Sequence, residues 1–343
     1  MQIIIPAGGL GTRMRPHTYS KPKPLVAVGG KPSIAHILDA FAALPIDKVV
    51  LITGRQGEML LDYVKQHYSF EAEAVEQKVM RGQSDAILLA EPLIDKADDL
   101  FVVFSDTLFE ADLGAVQHLG AADGAAFVKE VPDPSRFGIA VSNAQGYVTR
   151  MVEKPQEPLS HDAVVGIYYF KRAGDLYDAI HEQVERKIIL KNEYFLADAI
   201  QVMVEHGKQL KVLPVTVWED TGTRDAILHS NRYLLRKQHG DRSDTPYQQG
   251  SALIVPPVFI GEGVTLEQCV VGPYASIGAG TSIREAIVRD CIIGEQAQVR
   301  ATICTATLIG DRGVVEGGFQ TLNIGDDSAL GVDPSGAIDE TFK

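Results

Sequence analysis

The densest chemistry in the sequence lies near its start, in Ala7-Gly-Gly-Leu-Gly-Thr-Arg-Met-Arg-Pro-His-Thr-Tyr-Ser-Lys-Pro-Lys-Pro-Leu25. Gly8, Gly9 and Gly11 directly follow a short apolar run, and glycines there let backbone N–H groups approach a ligand. Residues 1–38 carry five basic side chains, Arg13, Arg15, Lys21, Lys23 and Lys31, and the first acidic residue is Asp39. A solvated basic surface has the same composition. Backbone donors with Arg and Lys beside them are better matched to a multiply charged phosphate group. The segment is not a dinucleotide fingerprint, because Met14 stands where G-x-G-x-x-G needs its third glycine. It is not a P-loop either, since no Gly-Lys-Ser/Thr follows, and Pro16, Pro22 and Pro24 prevent the helix that both folds require here.

Two carboxylates draw notice by position. Asp106 comes after the continuous apolar run Leu100–Phe104, and Asp220 follows Val217-Trp218. Open α/β sheets bind ligands beyond the carboxyl ends of their strands. Taken singly, an Asp at such a place also serves as a turn or helix cap.

The elements that must hold these residues alternate. Strand-like Gln2–Ala7 precedes helical spacing over Ser33–Leu44. Strand-like Lys48–Thr53 and helical Gln56–Gln66 follow, then a strand over Glu71–Gln77, a helix over Ser84–Ala90 and the buried run Leu100–Ser105. Such alternation predicts an α/β domain of Rossmann-like type with a mostly parallel central sheet. Strand patterns then succeed one another at Ala125–Val131, Gly138–Ser142, Tyr147–Glu153 and Ala163–Phe170, as a smaller mixed sheet would require. Helices near 195–206 and 224–237 flank a strand at Lys211–Val217.

The polar stretch 240–250 reads as a linker between a domain at 1–239 and a second one at 251–330. Beyond it helical periodicity gives way to a repeat. Ile-Gly recurs at Ile260, Ile277, Ile293, Ile309 and Ile324, at intervals of 17, 16, 16 and 15 residues. Apolar residues recur every five or six positions between them, the pattern of a parallel β-helix built of hexapeptide repeats. Residues 331–343 read as a loose tail.

With 343 residues, 45% hydrophobic and 22% charged, the chain has ample material for two globular domains. A net charge of −13 argues against bulk nucleic-acid binding. No apolar run approaches the ~18 residues of a membrane helix, and Met-Gln-Ile-Ile-Ile-Pro does not read as a signal peptide, so a cytoplasmic protein without membrane partners is expected. Cys269, Cys291 and Cys304 form no disulfide framework or zinc pattern and read as buried small residues in a reducing compartment.

The glycine-rich segment strongly resembles the signature of sugar-1-phosphate nucleotidyltransferases, the nucleotide-sugar pyrophosphorylases, G-G-x-G-T-R-x-x-P-x-T with a following K-P-x-x-L-like stretch. The resemblance continues in order through Gln77 and Gly82, Ser105-Asp-Thr107, Phe137-Gly138, Val152-Glu-Lys-Pro155, Gly166-Ile-Tyr168 and Trp218-Glu-Asp-Thr-Gly222, covering about residues 1–237. The repeat domain is similar to the left-handed β-helix of long-form glucose-1-phosphate thymidylyltransferases. The resemblance implies in-line attack of a sugar 1-phosphate on the α-phosphate of a nucleoside triphosphate, with pyrophosphate leaving. It assigns the nucleotide to Gly8, Gly9, Leu10, Gly11, Thr12, Arg13, Gln77, Gly82 and Asp106. Arg13 would grip the β- and γ-phosphates and Lys23 the α-phosphate, as catalytic residues. Gly138, Glu153, Lys154, Gly166 and Glu193 would meet the sugar phosphate. Asp106 and Asp220 would hold Mg2+. Two departures are local: Ser105-Asp-Thr107 stands for Gly-Asp-Asn, and Lys191-Asn-Glu-Tyr194 for an Arg-Gly-Glu-Leu-Glu-like stretch. Tyr168 and Tyr169 read equally as packing or ligand residues, and Trp218 as core.

Transfer from dTTP or UTP to glucose 1-phosphate leads. Guanylyl transfer to mannose 1-phosphate, adenylyl and cytidylyl transfer, and a non-catalytic regulatory subunit remain open. Acetyl transfer by the β-helix is not expected, because His239 is the last histidine and such enzymes rely on a histidine base. Assembly into a homo-oligomer, or regulation, is the expected role of the solenoid.

Overall fold

A computed structural model describes residues 1–157 and 159–317. The chain begins with β1 (Gln2–Ala7), whose Ile3, Ile4 and Ile5 are fully buried. A hairpin of β2 (Ala27–Val28) and β3 (Lys31–Pro32) leads into α1 (Ser33–Asp39). Then come β4 (Lys48–Thr53), α2 (Gly57–His67), β5 (Glu71–Glu76), α3 (Gln83–Leu89), β6 (Leu100–Val103) and β7 (Thr107–Ala111). The strands β8 (Gly124–Glu130), β9 (Gly138–Ser142), β10 (Val148–Glu153) and β11 (Asp162–Phe170) precede α4 (Ala173–Glu185), α5 (Leu196–Glu205), β12 (Leu210–Asp220) and α6 (Arg224–His239).

One sheet of ten strands runs β5-β4-β1-β6-β11-β8-β12-β7, with β9 and β10 attached beside β11. The first four strands are parallel. Val49–Ile52, Ile3–Ile5 and Leu100–Val103 are buried on both faces, as continuous apolar strands should be. β11 runs antiparallel to both β6 and β8. The expected smaller sheet therefore does not stand apart: β8 to β11 extend the main one. Two apolar cores cover its faces. One packs α1 and α2 with Phe41, Phe101 and Phe127, and the other packs α3, α4 and α5 with Phe170 and Tyr177.

The expected helix over 33–44 stops at Asp39, and turns follow it to Leu44. No element is expected over 173–185, yet α4 lies there with Leu176, Tyr177 and Ile180 fully buried. β7 was also missed; it is short, and only Thr107 and Leu108 are buried.

After α6 the fold changes to stacked rungs. One side pairs residues 253–254, 270–271, 287–288 and 303–304 in parallel. A second pairs 258–260, 275–277, 292–293 and 308–309. The third pairs 265–267, 282–284, 298–300 and 314–316. This is a three-sided parallel β-helix, and Ile277, Ile293 and Ile309 of the Ile-Gly repeat point into its own core with Ile254, Val271, Ile283, Val288 and Val299. The expected linker is not wholly unpaired: Tyr247–Gln249 runs antiparallel to Ala252–Ile254 and caps the first rung. Ile324, the boundary at 330 and the tail at 331–343 lie outside the described residues. No helix among the described residues is long and apolar enough to cross a membrane.

Candidate active site

The central pair of parallel strands builds the site. β1 and β6 are neighbours in register from Gln2–Leu100 to Ile4–Val102. Their carboxyl ends therefore open on the same edge of the sheet, and the glycine loop leaves one while Phe104-Ser105-Asp106 leaves the other. Between them is a cavity of about 340 Å³ lined by Gly9, Gly11, Thr12, Arg13, Lys23 and Asp106, all expected there. Pro6, Ala7, Pro24, Gln83, Phe104, Ser105 and Gly222 complete its wall.

The loop is closed locally. Thr18 Oγ1 donates to the Gly11 carbonyl at 2.8 Å, and one turn of 3-10 helix carries Thr12–Met14, with Met14 buried beneath it. A second such turn, Lys23–Leu25, begins after Pro22 and presents the lysine. Lys23 Nζ donates to Asp106 Oδ2 at 3.1 Å.

Asp220 reaches the same place through β12. That strand pairs antiparallel with β7, and Asp220 stands opposite Thr107, next to Asp106. Both the N–H and the hydroxyl of Thr221 donate to the Asp106 carbonyl, at 3.2 and 3.3 Å. Asp220 Oδ1 accepts from the Gly222 N–H at 2.6 Å. A Cβ on Gly222 would stand 2.8 Å from Asp220 Oδ1 and 3.2 Å from an Arg13 guanidinium nitrogen, so Asp220 and Arg13 flank this glycine. Arg13, Lys23 and Asp106 thus line the cavity, and Asp220 stands behind its Gly222 wall beside Arg13.

Gln77 is buried directly after β5, its N–H donating to the Thr53 carbonyl at 2.8 Å, and its amide oxygen lies against Gly8. Leu10 is exposed at the lip of the loop. Gly82 opens α3 and pairs with Tyr194 as an isolated bridge.

A second cluster holds most of the expected sugar residues. Gly138 and Glu153 are paired across β9 and β10. Glu153 is largely buried and bonded to Lys154, Oε1 to Nζ at 3.2 Å, while Lys154 Nζ sits 4.4 Å from the centre of the Phe195 ring. Burial raises the Glu153 pKa; Lys154 opposes the shift, while the charges of Asp198 and Glu193 add to it. Asp198, on α5, is likewise raised by burial. Glu193 itself is exposed in the turn Leu190–Glu193. Gly166 lies apart from these residues beside the cavity, its carbonyl accepting from the N–H of Phe104, which lines it.

Tyr168 and Tyr169 are 4% and 5% exposed and act as packing residues. Trp218 is only half-buried and packs edge-on against Phe137, with ring centres 4.9 Å apart. Gln83 is a site residue not expected from the sequence: its Oε1 accepts from the Leu196 N–H at 3.1 Å while the residue lines the cavity. Its position right after Gly82 was the available signal. Asp198 is likewise unexpected, since nothing in the sequence distinguishes it from an ordinary first-turn helix acid.

Residues 2–237 match the nucleotidyl transferase family. The chain belongs to that family. A UTP–glucose-1-phosphate uridylyltransferase of Haloferax volcanii is 33% identical over 228 residues, 64% of this chain and 89% of that one. A glucose-1-phosphate thymidylyltransferase of Streptomyces antibioticus is 32% identical over 300 residues, 84% of this chain and 81% of that one, so the similarity runs on into the β-helix. A solved UDP-glucose pyrophosphorylase complexed with UDP-glucose shares the fold, with TM-score 0.60 and 23% identity over 69% of this chain and 98% of that one. In this nucleotidyltransferase the family's glycine loop is the one that lines the cavity.

Proposed function

We propose that this nucleotidyltransferase moves a nucleotidyl group from dTTP or UTP to glucose 1-phosphate and releases pyrophosphate. The observation that carries the reading is that Arg13, Lys23 and Asp106 line the cavity beneath the glycine loop, with Asp220 beside Arg13 at its Gly222 wall. Two anions must be brought together for the reaction, so positive potential and alignment are what the protein has to supply. Arg13 and the loop amides hold the β- and γ-phosphates. Lys23 turns from Asp106 towards the α-phosphate. A sugar-phosphate oxygen attacks that phosphorus opposite the bridging oxygen, whose electron pair leaves with pyrophosphate. The nucleophile is already ionised near neutral pH, so no residue has to abstract a proton.

Asp106 and Asp220 fit a small hard cation. Asp220 ends β12 opposite Thr107, and Asp106 stands directly before Thr107, so the two carboxylates come from neighbouring chain segments; among the described residues no cluster of three or more His, Cys, Asp or Glu offers a fuller cage. One or two carboxylates suffice for Mg2+, which takes its other ligands from waters and phosphates. Bound there it would offset charge on the triphosphate oxygens. Gln77 can donate to and accept from a pyrimidine edge, and Glu153 and Lys154 would take sugar hydroxyls and the sugar phosphate.

Residues 1–239 are taken as the catalytic unit, joined by 240–250 to the β-helix. A cytoplasmic homo-oligomer is the setting we propose. Its support is the three unpaired, buried cysteines and an apolar ladder in register on one face of the β-helix, with Leu253, Ile287 and Ile303 exposed and Val270 half-buried. The deciding experiment is pyrophosphate release with Mg2+ across dTTP, UTP, CTP, GTP and ATP, each with glucose 1-phosphate and with mannose 1-phosphate. Preference for dTTP or UTP with glucose 1-phosphate is expected. Preference for GTP with mannose 1-phosphate overturns the base and sugar, and silence with every pair returns the chain to a regulatory subunit.

A further inference from the structure

The limb that carries Lys23 runs from Pro16 to Ser33, and much of what holds it belongs to the β-helix or is anchored there. Lys21, two residues before Lys23, forms an ion pair with Asp311. Asp311 Oδ1 also accepts from the Glu295 N–H at 3.1 Å, which fixes the carboxylate on its rung. Between Pro16–Lys21 and the rungs at Ile292, Leu308 and Asp311 lies only a narrow cleft of about 230 Å³, with half-buried His17 in it. Ile292 and Leu308 pack into the apolar core of the catalytic sheet.

The far end of the limb is held through α6. Asn231 is fully buried, and its Oδ1 accepts from both the Gly29 N–H at 2.9 Å and the Ser276 hydroxyl at 2.7 Å. Its Nδ2 donates to the Tyr274 carbonyl at 3.1 Å. One amide therefore ties the turn after Lys23 to two β-helix residues. Gly30 lies flat on the Phe259 ring, where a Cβ would stand 2.5 Å from a ring carbon. Arg232 adds a two-bond ion pair to Asp290, at 2.6 and 2.5 Å.

We infer that the β-helix is part of the catalytic apparatus, with Asp311, acting through Lys21, and Asn231, acting through Gly29, as positioning residues that hold Lys23 towards Asp106. The inference rests on the nucleotidyl-transfer reading for its kinetic consequence, but not for its structural one. A lysine on a limb of paired turns has many orientations, and a catalytic charge misplaced by an ångström can cost about a hundredfold in rate. The β-helix removes that freedom from outside the catalytic domain.

The test compares the full-length protein with Asp311→Asn, Lys21→Gln, the double variant and Asp311→Glu. Amide hydrogen exchange over residues 16–30 and steady-state pyrophosphate release are read together. Asp311→Asn and Lys21→Gln break one pair from opposite sides, so one remains informative should the other fold poorly. Each is expected to speed exchange in that segment and lower kcat about tenfold, with KM for the nucleoside triphosphate within about twofold. The double variant is expected to lose no more than either single one, and Asp311→Glu to keep most of the rate. Unchanged exchange, a wild-type kcat, or additive losses in the double variant each overturn the inference. If the wild-type protein turns over no substrate pair, nucleotidyl transfer falls as a reading, and the exchange result alone decides whether the β-helix holds the limb.

Discussion

Lys23 Nζ lies 3.1 Å from Asp106 Oδ2, although the two residues are 83 positions apart. The lysine side chain is 13% exposed and the aspartate 43%, so the cation is the more enclosed partner. The pair presents one positive and one negative group to the same cavity. A triphosphate would draw the ammonium away and leave the carboxylate free for a cation. Replacing Asp106 with Asn keeps an acceptor for Lys23 but removes the charge. Turnover should fall about a thousandfold, while the melting temperature stays within a few degrees of wild type. Pyrophosphate release and a thermal melt on the same sample check this.

Lys23→Met removes the positive charge at the α-phosphate. The expected loss is about a hundredfold in kcat, with little change in KM. Single-turnover measurements locate the effect in the chemical step. A change confined to KM would reduce Lys23 to a binding residue.

Gly8→Ala acts on a neighbour. The new Cβ would stand 2.8 Å from Gln77 Oε1 and 3.5 Å from the Thr53 carbonyl. The amide end of Gln77 is the part able to give way. The KM for the preferred nucleoside triphosphate should rise several-fold and discrimination between pyrimidine and purine substrates should narrow. Equal KM values and an unchanged base ratio would separate Gln77 from base reading.

Glu153 links the sugar cluster to pH. Burial holds its pKa above the ordinary carboxylate value. In the unfolded chain the group ionises first, so as pH rises the native state binds more protons than the unfolded state and stability falls. Glu153→Gln removes that cost. The variant should melt above wild type at pH 7.5 and lose its advantage at pH 4, while its KM for sugar 1-phosphate rises. Equal melting temperatures at both pH values would refute the assignment.

Much of this arrangement is legible in the residues. Apolar runs ending in Ala7 and Phe104 mark strands whose carboxyl ends meet, and the Ile-Gly spacing marks the rungs. What escaped has physical causes. α4 has helical spacing in Leu176, Tyr177, Ile180 and Val184, but small or polar residues fill its other buried positions, Ala173, Gly174, Ala179 and Gln183. β8 to β11 look like a separate sheet because antiparallel pairing can follow any strand succession; only the contact of β11 with β6 shows that they share one. The grip of the β-helix on residues 16–30 is invisible in sequence, since Asp311 and Asn231 look like any polar residue of a turn or a helix.

The ion pair of Lys21 and Asp311 spans 290 positions. Ribosomes add roughly 5–20 residues each second, so the aspartate emerges about 15 to 60 s after its partner. During that interval the sheet can assemble from β1 to β12, and the cavity can gain Asp106 and then Asp220. The segment around Lys23 is first held at Gly29 and Gly30, by α6 and the early rungs, and gains its brace at Lys21 only when the fourth rung is made. On the proposal that Asp311 positions Lys23, a nascent chain holds its nucleotide loop before it can use it, and competence waits for the fourth rung.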